Sequence, residues 1–134
     1  MNECVFCKIV RKEIPSRVIY ETNDVICFLP NKIEVYGHTL IVPKQHFADL
    51  YDIPEALLGK LVAASKKLAI SYKSRIGAPG ANLMHASGKD GEQSVFHFHF
   101  HLLPRFKDDG LKTWPNFPEI DIDADELLNK LKLE

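Results

Sequence analysis

Gln93-Ser94-Val95-Phe96-His97-Phe98-His99-Phe100-His101-Leu102-Leu103-Pro104-Arg105 is the stretch on which the fold turns. Three of the chain's six histidines stand here at two-residue spacing, with Phe96, Phe98 and Phe100 in alternation with them. A β-strand sends successive side chains to opposite faces. An extended backbone therefore lines up His97, His99 and His101 on one side and the aromatics on the other. A helix would scatter the same rings at roughly 100° per residue. The alternation predicts a strand, closed by Pro104.

A row of three imidazoles has three possible uses. It can be the polar face of a half-buried strand, or a row that shares a metal ion. It can also be catalytic, with a central imidazole as nucleophile and its neighbours orienting it and offsetting the charge of a phosphate. The sequence around the row decides among them.

The row, HFHFHLL, resembles the motif of the histidine triad (HIT) family, His-φ-His-φ-His-φ-φ with φ apolar. Gln93-Ser94-Val95 is similar to the family as well. So are Gly37-His38-Thr39-Leu40-Ile41-Val42-Pro43-Lys44 and the opening Val5-Phe6-Cys7-Lys8-Ile9-Val10-Arg11-Lys12-Glu13-Ile14-Pro15. These blocks follow one another in the family's order and at similar spacing, and the resemblance covers residues 4–106.

Composition sets the frame. With 134 residues, 46% hydrophobic and 26% charged, the chain is expected to be one soluble globular domain with a real core. A formal net charge of −1 gives no global field to recruit nucleic acid or an anionic membrane, so attraction for phosphate must be local. No apolar run approaches the ~20 residues that span a bilayer. MNECVFCKIV lacks a signal peptide's charged start and long apolar stretch, so a cytoplasmic address is expected. In a reducing compartment Cys4 and Cys7 are free thiols or metal ligands, and Cys27, inside VICFL, is a buried small hydrophobe.

Along the chain, RVIYE (17–21) and DVICFL (24–29) read as a hairpin turning at Thr22-Asn23, and HTLIV (38–42) as a further strand. A helix is expected from Asp52 as N-cap, with Pro54 in its first turn and Glu55 at the capping-box position, to about Arg75. Its stripe of Leu57, Leu61, Ala64 and Leu68 should lie on the sheet. NLMH (82–85) is a strand, and the polar turn 86–92, with Gly88 and Gly91, is suited to phosphate oxygens. Residues 105–121 read as irregular, followed by a short C-terminal helix capped by Asp123. Its leucines need a partner. The order of elements points to an α+β fold: an antiparallel sheet of about five strands, one long helix and a short C-terminal helix.

The resemblance implies this same fold, with a core at 4–106, an extension at 107–134, and a homodimer. It implies transfer of a nucleoside monophosphate from a phosphoramidate, phosphoanhydride or similar linkage through a covalent nucleotidyl-histidine. His99 is then the nucleophile, His101 a donor to a phosphoryl oxygen, and Ser94 a hydrogen-bond or proton donor to the leaving group. Gln93 is placed at the phosphate, and His38 near the nucleotide or merely at a polar strand end. The same resemblance makes Phe6, Ile9, Ile14 and Phe28, otherwise plain core, walls for a purine base. Cys4, Cys7, His46 and His97 match the ligands of zinc-containing members one by one, a closed structural Zn2+ site. The alternative for the CxxC is a redox pair, but nothing nearby resembles the thioredoxin context.

Three positions depart from the family. Pro30 replaces the usual Asp or Asn at the ribose, with Asn31 as a substitute. Ala86 replaces a phosphate-contacting Asn, flanked by His85 and Ser87, and His85 itself has no counterpart and reads as structural or on the pocket rim. Glu92 replaces a Gly two residues before Ser94. A nucleotide-binding regulator with little turnover, and a metal-storage module using the whole histidine row, are the alternative functions.

Overall fold

The computed structural model describes residues 3–133; Met1, Asn2 and Glu134, and with them the first two residues of MNECVFCKIV, lie outside the described residues. The elements follow one another as α1 (Val5–Val10), β1 (Arg17–Glu21), β2 (Val25–Leu29), β3 (Thr39–Pro43), α2 (Glu55–Arg75), β4 (Gly80–Met84), β5 (Phe100–Arg105) and α3 (Ala124–Leu131). The strands form one antiparallel five-stranded sheet in the order β1-β2-β3-β5-β4. The α+β architecture expected from the sequence is the one observed.

Alternation along β2 and β3 divides the core. Val25, Cys27 and Ile41 face α2 and pack with Leu61, Ala64, Leu68 and Tyr72. Ile26, Phe28, Leu40 and Val42 face the other way and are covered by Phe6 and Ile9 of α1. Both strands are thus buried on both faces, which is why they read as nearly continuous apolar runs. Register then places the histidine row: His101 pairs with Leu40, so the row shares the α1 face. Phe98, Phe100 and Leu102 take the α2 face.

Three local expectations are corrected. The regular strand is shorter than the alternation suggested, because ladder pairing begins only at Phe100 and residues 95–97 bend. His97 and His99 still turn their rings to one side, both against Phe6, and the segment is tied instead by the Phe98 amide donating to the Phe47 carbonyl at 2.6 Å. Pro104 does not end the strand; it lies within β5, opposite Ala81 of β4. The β3 ladder stops at Leu102, so the missing proline N–H interrupts no bond on that side. Asp52 does not cap α2, whose N-cap is Pro54 with no side-chain bond. Its carboxylate accepts from the amides of Ala48 and Asp49 and so shapes the preceding loop. At the other end of the chain Asp123 does cap α3, accepting from the amides of Asp125 and Glu126. No helix among the described residues is long and apolar enough to cross a membrane.

Candidate active site

Acceptor-only carbonyls fix the proton positions of His97 and His99. His99 is 7% exposed, and its Nδ1 lies 2.8 Å from the carbonyl oxygen of His97. A carbonyl can only accept, so Nδ1 carries the hydrogen and Nε2 is left with a free lone pair. Burial pushes the His99 pKa below the ordinary histidine value, outweighing the opposite effect of that hydrogen bond. A neutral ring with a bare nitrogen is the nucleophilic form.

His101 is set by a similar chain. The Glu34 amide donates to His38 Nδ1 at 3.3 Å, so His38 carries its hydrogen on Nε2. Nε2 donates to His101 Nδ1 at 3.0 Å, leaving the His101 hydrogen on its own Nε2. Burial lowers both pKa values. His38 is therefore more than a polar strand end: at 3% exposure it orients His101. Gly37 lets β3 begin where it does. Its φ is +85°, and a Cβ there would come within 2.7 Å of Pro104 Cγ.

His97 turns its ring elsewhere. Nε2–H donates to the Pro43 carbonyl at 2.8 Å, so Nδ1 offers its lone pair to Cys4 Sγ at 3.4 Å, Cys7 Sγ at 3.6 Å and His46 Nδ1 at 3.1 Å. Cys7 Sγ lies 3.3 Å from His46 Nδ1, and all four donor atoms fall within 4.8 Å of one another. A tetrahedral ion with ordinary Zn–S and Zn–N bonds requires S···N edges of roughly 3.6 Å and N···N edges of about 3.3 Å. The donor set fits a cation of that kind. Complete burial pushes His97 down to about 4, keeping its nitrogen free for a ligand role. Burial and the neighbouring Cys4 raise the Cys7 thiol, so loading a cation must displace protons. The carbonyl of His97 meanwhile serves His99, so one residue joins the two sites.

The apolar residues assigned to a base come together: Phe6, Ile9 and Phe28 form one cluster with Ile14 against it. Phe6 stands edge-on to both His97 and His99, with centroids 5.7 and 5.1 Å away. On the other side of the row a cleft of about 720 Å3 is lined by His38, His101, Ser94, Glu34, Glu92 and Lys112, among others. His99 is not among its walls; its ring centroid lies 4.9 Å from that of His101, one step along the row. Ser94 is exposed in this cleft.

One assigned residue, Gln93, is placed differently. Gln93 is buried; its Oε1 accepts from the Gly88 amide, and its Nε2 donates to the carbonyls of Ala48 and Val95. It shapes the 88–93 loop from beneath and has no free donor to offer phosphate. Asn31 is exposed in the β2–β3 loop. Sequence reasoning gave His85 no specific function, yet its Nδ1 lies 2.9 Å from the carbonyl oxygen of His99. The available signal was its position beside Ala86, where the family pattern is broken.

A sheet carrying a triad of alternating histidines beside a Cys2His2 cluster defines a recognisable class of small α+β protein. The chain belongs to the HIT domain family, whose model matches residues 11–108. An uncharacterized HIT-like protein of Methanocaldococcus jannaschii is 36% identical over 130 residues, covering 96% of this chain and 98% of the relative. A Saccharomyces cerevisiae adenosine 5'-monophosphoramidase is 37% identical over 124 residues, 92% of this chain and 75% of its own. Among solved structures, a Zn-bound histidine triad family protein from Mycobacterium smegmatis is 34% identical with a TM-score of 0.79, covering 92% of this chain and 86% of that one.

Proposed function

We propose that the chain is a nucleotide hydrolase or transferase acting on the α-phosphate of nucleoside phosphoramidates or dinucleoside polyphosphates, with a purine nucleotide as substrate and a nucleoside monophosphate as product. The observation that carries this is the His99 tautomer: Nδ1–H held by the His97 carbonyl, Nε2 bare. In the first step the Nε2 lone pair forms a bond to phosphorus and the bond to the leaving group breaks, its electron pair departing with that group. Ser94 supplies a hydrogen bond or proton there. His101, with its hydrogen on Nε2, donates to a phosphoryl oxygen as negative charge builds. Water then attacks the same phosphorus, the P–N bond to His99 breaks, and the monophosphate leaves. Phe6, Ile9, Ile14 and Phe28 form the apolar side against which the base rests.

Cys4, Cys7, His46 and His97 would hold a structural Zn2+, and in doing so would join α1 to the loop after β3 and to the triad segment. The chain acts as a cytoplasmic homodimer.

The test is release of AMP from adenosine 5'-phosphoramidate, with mass spectrometry of protein quenched during turnover. The parent should show an added nucleotide mass on the His99 peptide. His99→Ala should lose at least ~10³-fold in rate, as loss of a covalent nucleophile does, while keeping its zinc. An unchanged rate in that variant overturns the assignment; loss of zinc would favour a metal module instead. A parent that binds nucleotide without releasing product would be a regulator.

A further inference from the structure

His85 and Ser87 flank Ala86, and nothing in the proposed chemistry uses them. Their hydrogen-bond directions can be assigned without ambiguity. The His99 carbonyl only accepts, so His85 carries its hydrogen on Nδ1 and donates it across 2.9 Å. In the neutral ring Nε2 is then an acceptor, and Ser87 Oγ–H lies 2.5 Å away to supply it. Ser87 Oγ in turn accepts the Leu50 amide at 2.8 Å. The result is a directed chain: Leu50 N–H to Ser87, Ser87 O–H to His85, His85 N–H to the backbone of His99.

The place where this chain ends matters. β4 and β5 pair as far as Met84 with His101 and no further, and β3 pairs as far as Phe100. The peptide carrying His99 thus sits just beyond both ladders. The His85 side chain takes over where backbone pairing stops. Its ring stacks on Phe98 at 4.3 Å and meets Phe100 edge-on at 5.7 Å, and it also borders the cleft that His101 lines. His99 is therefore fixed from two sides, its ring by the His97 carbonyl and its backbone by His85. The far anchor, Leu50, belongs to the loop that also holds Phe98 through Phe47 and Gln93 through Ala48.

We propose that His85, braced by Ser87, is a positioning residue for the nucleophile: it holds the His99 peptide in the orientation from which Nε2 reaches phosphorus. This rests on the reading of His99 as nucleophile. A displacement of the order of 1 Å in a reacting group costs about 10²-fold in rate, so the brace should appear in kcat.

His85→Phe keeps the stack on Phe98 and removes both hydrogen bonds. It should lower kcat for adenosine 5'-phosphoramidate by about 10- to 100-fold, with KM changed less than about threefold. His85→Asn can place an amide N–H where Nδ1–H was and should recover most of the loss. Ser87→Ala, which leaves the His85 ring in place, should fall between. Unchanged kcat in His85→Phe, or an Asn variant no better than Phe at equal folded fraction, overturns the proposal. A second measurement does not need turnover: the 13C carbonyl resonance of His99 should shift in His85→Phe and return in His85→Asn. If the parent is inactive, the nucleophile reading fails, and the brace stands or falls on that resonance alone.

Discussion

His38, His97 and His99 each have their hydrogen placed by a backbone partner that can act in only one direction, and His38 passes that order on to His101; this has consequences for pH. Burial holds His38, His99 and His101 below the ordinary value of about 6.5. The reactive neutral form therefore persists below that pH. We expect kcat/KM to stay level from pH 8 to about 6.5 and to fall only on further acidification; a limb centred above 7 in the initial-rate profile would contradict the assigned environment. Stability of the metal-free protein should follow the same groups. Above about 6.5 the rings are neutral in both states and stability is flat. Below it the unfolded chain binds protons that the folded one refuses, so stability falls as pH drops toward about 4, where folded His97 also protonates. Urea titrations at several pH values read this directly. The triad was legible because its alternation is local. His85 was not, because it meets His99 across 14 residues through the end of a strand pairing that no local pattern displays.

Among the elements, the loop between β4 and the triad carries a testable strain. Glu92 has φ +67°, a left-handed conformation that costs an L-residue roughly 1–2 kcal/mol. Glu92→Gly should stabilise the fold by about 0.5–1 kcal/mol after glycine's greater chain entropy is deducted, measured as a shift in urea midpoint at constant slope. The sequence marked this position as one where the family has glycine; the backbone angle supplies the reason. The long helix was legible from its leucine stripe, whereas its cap was misread, because Asp52 has two loop amides within reach. The segment after β5 was read as irregular and is so, yet its start is anchored. Arg105 grips Asp109 with two nitrogens and also donates to Asn82, Thr113 and the Leu111 carbonyl. The Arg105 fork, with the amides of Phe106 and Leu111, holds the Asp109 carboxyl well below its usual range. No sequence periodicity announces such a knot.

At the scale of the molecule, two proposals concern what the folded chain takes on. Cys4, the N-cap of α1, supplies a ligand to the Cys2His2 set, so Cys4→Ala should abolish stoichiometric zinc, read by elemental analysis, and lower Tm; a parent free of metal with an unchanged Tm in the variant would remove the zinc proposal. Beyond the sheet, Trp114 at 76%, Phe117 at 68% and Leu131 at 65% exposure leave an apolar extension without cover. The proposed homodimer should sediment at twice the chain mass, and Leu131→Lys should shift it toward monomer by sedimentation equilibrium. The sequence showed that the α3 leucines needed a partner. Which surface meets them is a matter of assembly, outside the reach of local patterns.

His97 turns its imidazole to the Cys4 and Cys7 thiols and its main-chain oxygen to the neighbouring His99 ring. Side-chain mutagenesis can interrogate only the first of these. A conventional alanine scan would therefore score His97 by the loss of its anchor and credit none of the proton placement to it, because His97→Ala retains the peptide oxygen. A thioamide in place of the 97–98 amide, introduced by semisynthesis, weakens that acceptor while sparing the ring and the Phe98 N–H that bonds Phe47, and would give the backbone role its own measurement.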